Sequence, residues 1–134
     1  MSRYVTISTI GAEPLRFGTG GKKHGQEAVD MMIAHWGRTV EQVLHRRPDL
    51  IVVPEACDRF PEHSLEERLA YYRVRKDQVR DFFCGVAEGN HCYIAYSAAR
   101  EMPDGTWRNS TQIIDRHGEV AGIYNKNHVV VEET

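Results

Sequence analysis

Asp49-Leu50-Ile51-Val52-Val53-Pro54-Glu55 runs four apolar residues straight into a proline and an acid. A short, unbroken apolar run of this kind reads as a strand buried on both faces, and such strands belong to parallel sheets flanked by helices. Its last residue, Glu55, falls where the ends of strands open onto a crevice. Partial burial there makes a carboxylate hold its proton more readily and suits it to proton transfer near neutral pH. A turn cap or a surface ion pair would explain the same acid equally well.

Upstream of this strand, Val29, Met32, Ile33, Trp36, Val40, Val43 and Leu44 recur at spacings of three and four. That period predicts an amphipathic helix over 26–46, with Trp36 and the methionines as core. Pro48 stops it. Residues 4–10 are β-rich and predict a first strand. The glycines and proline of 11–21 predict a loop. It lacks the G-x-x-x-x-G-K-[ST] frame of a phosphate loop.

Downstream, Ser64 and Glu67 have capping-box spacing and open a predicted helix over 64–88. Leu65, Leu69, Tyr72, Val79, Phe82, Phe83 and Val86 supply its apolar stripe, and Arg73, Arg75, Lys76 and Arg80 read as its solvated face. Gly89-Asn90 suits a left-handed cap. Three strands then follow at 92–98, 111–115 and 119–124, separated by the turns Pro103-Asp104-Gly105 and Arg116-His117-Gly118. The order β-α-β-α-β-β-β predicts an α/β (α+β) mixed sheet with helices on one face. The sheet's other face should also be apolar and needs a partner to cover it.

A second candidate, Lys126, follows the last strand. A lysine at the end of an apolar strand can stabilise developing negative charge, although alone it reads as an ordinary exposed lysine. Bulk properties narrow the class. With 134 residues the chain suits one domain, and 41% hydrophobic against 27% charged residues excludes disorder. A net charge of −2 does not describe a nucleic-acid surface. No apolar run is long enough for a membrane span. The three cysteines, Cys57, Cys84 and Cys92, form no C-x-x-C pair. With no signal-peptide pattern ahead of the first strand, they imply free thiols and a cytoplasmic setting. None of the seven histidines forms H-x-x-x-H or H-E-x-x-H, so no metal site is expected.

Taken together, two segments resemble the nitrilase, or carbon–nitrogen hydrolase, superfamily. The run Asp49 to Glu55 is similar to the family's glutamate-bearing strand. The run Asn109-Ser110-Thr111-Gln112-Ile113-Ile114-Asp115-Arg116-His117-Gly118-Glu119-Val120-Ala121-Gly122-Ile123-Tyr124-Asn125-Lys126-Asn127-His128 is similar to its lysine segment. There an Asn-Ser pair opens a hairpin, a Gly-Glu turn closes it, and an aromatic residue precedes Lys-x-His. The resemblance covers most of the chain and is more specific in the lysine segment.

The resemblance implies a four-layer α-β-β-α sandwich, of which residues 1–134 would form the N-terminal half or more. It implies hydrolysis of non-peptide C–N bonds in small amides, carbamoyl compounds or nitriles, without metal or organic cofactor. Glu55 would act as general base and Lys126 would stabilise the tetrahedral intermediate. Glu132 or Glu133 is a candidate for the family's second glutamate. The family's nucleophilic cysteine lies after the lysine, on a strand-to-helix elbow that none of Cys57, Cys84 and Cys92 matches. The fragment by itself is therefore expected to be inactive. The open sheet face and the family's habit of assembling predict a homo-oligomer. Two alternatives stand beside this reading. One is a metal-dependent endonuclease/phosphatase-type phosphoesterase, in which Glu55 would bind magnesium; the first strand lacks the asparagine expected there. The other is a non-catalytic, truncated association module.

Overall fold

A computed structural model describes residues 4–127. Glu132, Glu133 and His128 lie outside the described residues. In chain order the elements are β1 (Ile7–Thr9), α1 (Gly25–Leu44), β2 (Leu50–Val52), α2 (Leu65–Arg75), α3 (Gln78–Asn90), β3 (Tyr93–Glu101), β4 (Trp107–Ile114) and β5 (Val120–Asn125), with one 3-10 turn at Gly18–Gly20. The strands form one mixed sheet in sequence order. β1, β2 and β3 run parallel, and β4 and β5 continue it antiparallel. This is the expected α/β architecture.

The alternation of side chains divides the sheet into two unlike faces. Ile51, Ile94 and Ile114 lie in register across β2, β3 and β4, and all are fully buried. They face the helices, where Trp36 of α1, Phe83 of α3 and Tyr96 of β3 form one aromatic cluster of tilted rings. The periodicity of α1 is the cause, since Val29, Met32, Trp36 and Val40 are its buried stripe. The opposite face carries Ile7, Tyr93, Ile113 and Tyr124, which remain 56%, 36%, 37% and 57% exposed. No described element covers it.

Besides the left-handed cap, which falls at His91 and not at Gly89-Asn90, two expectations change. The helix over 64–88 is two helices, α2 and α3, broken at Lys76. Lys76 has φ 48° and ψ −120°, which no helix tolerates. The apolar stripe steps straight from Tyr72 to Val79 across this break, and Arg75 and Lys76 stand where its next apolar residue would fall. Arg75 explains the break. It is 4% exposed rather than solvated, and its guanidinium bonds Asp58 at 2.8 Å. Its Nε donates to the carbonyl of Lys76 at 3.0 Å, which turns the chain back over the buried group. Secondly, β4 begins at Trp107 rather than near Thr111, because its pairing with β3 extends to Glu101↔Trp107. The capping box at Ser64 and Glu67 forms as its spacing demands.

Candidate active site

Each site side chain is placed by a separate piece of the sheet. After β2 the chain stays beside β3: Val53 N–H donates to Ala95 O at 3.2 Å and Cys57 N–H to Ser97 O at 2.9 Å. The second bond lies within a turn over 55–58, with Ala56 at φ 50°. Glu55 projects from the start of this turn. Asn109 and Lys126 come from β4 and the end of β5, where Lys126 N–H donates to Asn109 O at 2.8 Å. The two are therefore cross-strand neighbours on the face that the helices leave open.

The three side chains converge on one atom. Asn109 Nδ2 and Lys126 Nζ each donate to Glu55 Oε1, both at 2.8 Å. Glu55 and Lys126 remain 54% and 28% exposed. The burial expected of Glu55 is thus not supplied by the described residues, because the face it borders is uncovered. At this exposure the ion pair contributes little to stability, on the order of 1 kcal/mol or less. Its value is geometric: it holds a carboxylate and a cation in contact at the rim of an open sheet. On the same face, Ser97 and Thr111 share a 2.8 Å hydroxyl bond; on the helix side, Ser110 Oγ donates to Asn125 Oδ1 at 2.6 Å.

Asn109 was legible only as the residue that opens a hairpin, and its contact with Glu55 depends on the β3–β4 register, in which it pairs with Ala99. The support beneath the turn was not legible. Asp58 is fully buried three residues after Glu55 and pairs with Arg75. Burial alone would lower the Arg75 pKa, but Asp58, followed by Tyr96, outweighs it and raises it. Burial, followed by the Asp58 charge, pushes Tyr72 up to about 12 and lifts Tyr71 and Tyr96 as well. These phenols stay neutral beside the pair.

None of the three free cysteines belongs to this cluster. Cys57 and Cys92 are buried in the helix-side core, and Cys84 packs against it. Burial is the leading cause raising all three thiols, joined at Cys57 by the Asp58 charge. A thiol held protonated is a poor nucleophile. Among the described residues no group of three His, Cys, Asp or Glu side chains could hold a metal ion, and no helix is long and apolar enough to cross a membrane.

The mixed sheet with helices on one face is the architecture that the order of elements predicted. The model of the carbon–nitrogen hydrolase family matches residues 18–134, and the chain belongs to that family. Among solved structures it is similar to a carbon–nitrogen hydrolase from Helicobacter pylori G27, at 19% identity and a TM-score of 0.70. That match covers 96% of this chain and 41% of the other. It is also similar to an N-terminal amidase, at 18% identity and a TM-score of 0.70, covering 96% of this chain and 29% of that one. A third likeness is to the C. elegans NitFhit protein, at 14% identity and a TM-score of 0.71, covering 94% and 28% of the two chains. At these identities the likeness shows the fold, and the chain spans less than half the length of each. No curated protein matches the chain. Family membership leaves the phosphoesterase alternative without support.

Proposed function

We propose that Glu55 and Lys126 are two members of a Cys-Glu-Lys site that hydrolyses a non-peptide C–N bond in a small amide, carbamoyl compound or nitrile. The observation that carries this reading is the convergence of Lys126 and Asn109 on Glu55 Oε1. Two donors occupy one oxygen, and no hydrogen bond from the described residues occupies Oε2. Glu55 would use that oxygen to take the proton from an attacking thiol and, in the second half-reaction, from water. Lys126 would turn its positive charge toward the oxyanion of the tetrahedral intermediate. Asn109 keeps the carboxylate aligned as its charge changes. Glu132 or Glu133, both outside the described residues, stays the candidate for the family's second glutamate.

The raised, protonated thiols of buried Cys57 and Cys92 and half-buried Cys84 do not suit them as the nucleophile, so the reading assigns that role to a cysteine outside this chain. These 134 residues alone are then inactive. The free thiols fit a reducing, cytoplasmic setting. The exposed apolar residues of the open sheet face support association into a homo-oligomer. A monomer by light scattering at micromolar concentration would remove that part of the proposal.

The test is ammonia release from primary amides, N-carbamoyl compounds and nitriles by the whole polypeptide that the reading frame encodes. E55Q and K126Q should each lower kcat by on the order of 10²–10³. Turnover indifferent to E55Q would sink the reading. An electrophilic amide or nitrile probe should leave Cys57, Cys84 and Cys92 unmodified in the present chain. A stoichiometric adduct on any of them would show that it carries its own nucleophile.

A further inference from the structure

Arg75 makes three hydrogen bonds that link otherwise separate parts of the fold. Its Nη1 donates to Asp58 Oδ2 at 2.8 Å, its Nη2 to the carbonyl of Ala99 at 2.6 Å, and its Nε to the carbonyl of Lys76 at 3.0 Å. Asp58 closes the 55–58 turn that begins with Glu55. Ala99 is the β3 residue paired with Asn109 on β4. One guanidinium therefore fixes the backbone next to both the acceptor and one donor of the site, from the helix side of the sheet. The residue is 4% exposed and its acid partner fully buried. A planar fork of N–H groups can satisfy a carboxylate and two carbonyls at once, which a lysine cannot.

A pair serving stability alone would be an expensive choice here, because burying two charges is often no better than burying two apolar side chains of similar volume. Its location gives it a second role. We propose that Arg75, acting through Asp58 and the Ala99 carbonyl, is a positioning residue that sets the reach between Glu55 and Asn109. This inference rests on the Glu55–Lys126 site proposed above. Without Arg75 the 55–58 turn and β3 stay joined by Cys57 N–H to Ser97 O, but nothing else described ties Asp58 to Ala99.

The experiment follows the side-chain amide signals of Asn109 in ¹H–¹⁵N spectra of the whole chain, with E55Q as the reference for a lost carboxylate contact. R75M/D58L removes the pair without stranding a buried charge. R75K keeps the charge but not the fork, and serves as a second arm should the double variant fail to fold. Each should move the Asn109 amide signals most of the way toward their E55Q positions, while K76M, next door on the surface, leaves them in place. Asn109 signals that stay at their wild-type positions in folded R75M/D58L or in R75K overturn the positioning role and leave the site intact. Asn109 signals that do not respond to E55Q overturn the site itself, and the role of Arg75 with it.

Discussion

Asn109 and Lys126 face each other across the β4–β5 hairpin, joined by a 2.8 Å backbone bond, and their side chains donate to the same oxygen of Glu55. The backbone link fixes the spacing between the two donors, so the carboxylate meets a rigid pair instead of two independent side chains. A preorganised pair of this kind keeps its geometry while the charge on its acceptor changes.

In the proposed hydrolase assay, Asn109→Ala should lower kcat/KM about tenfold, through loss of one charge-assisted hydrogen bond at a half-exposed site. Asn109→Asp should cost more, because it sets a second negative charge against Glu55. Steady-state kinetics on both variants checks the order. An aspartate variant as active as wild type would mean that Asn109 does not face the carboxylate during turnover.

Asp58→Ala should destabilise the fold by about 3–5 kcal/mol, since it leaves the Arg75 charge buried without its partner. R75M/D58L should lose much less. Denaturant unfolding compares the two. Equal losses would mean that packing volume, and not the stranded charge, sets the cost.

Glu67 gives the fold an acid-sensitive clasp. Its bond from the Ser64 backbone, followed by that from Lys22, lowers its pKa from 4.5 to about 2. A carboxyl depressed on folding contributes stability above its unfolded pKa and loses it as pH falls through the folded one. The contribution should therefore be complete above about pH 4.5 and fade toward pH 2. Glu67→Gln keeps the capping geometry but should flatten that part of the stability–pH curve. Unfolding midpoints measured from pH 6 to 2 test this, and identical slopes for wild type and variant would refute it.

Gly118→Ala should destabilise the β4–β5 turn by about 1–3 kcal/mol. Gly118 has φ 77°, and a Cβ there would lie 2.8 Å from the Cys84 carbonyl of α3. The strained backbone and the clash with a helix carbonyl both oppose the methyl group. Thermal unfolding measures it. Gly105→Ala is the control, because that glycine has φ 84° but open space around it, and it should cost less.

Much of this protein was written in local sequence. The apolar run Leu50 to Val53 placed β2 and hence Glu55, because a fully apolar tetrapeptide bounded by Pro54 has few other homes. The period of α1 named its buried face, and Ser64 with Glu67 named the start of α2. The Glu55 and Lys126 segments were legible as family motifs. Each such signal lies within a few residues of the feature it describes.

Tertiary structure decided the rest. In sequence Arg75 belongs to a run of cations on a helix face; a buried Asp58 seventeen positions away makes it a core residue and breaks the helix. Nor could the turn alone say where Lys126 points. Counted back from the pair Ile114↔Val120 in strict alternation, Lys126 would oppose Arg108 and turn toward the helices. A bulge adds Ala121 to β5, the next pair becomes Ile113↔Gly122, and Lys126 arrives opposite Asn109 on the open face. Side chains alternate with period two, so one extra residue chooses the face. The sequence by itself determined which residues could form the site, because local patterns mark strand ends; their meeting depended on a register that only the paired strands establish.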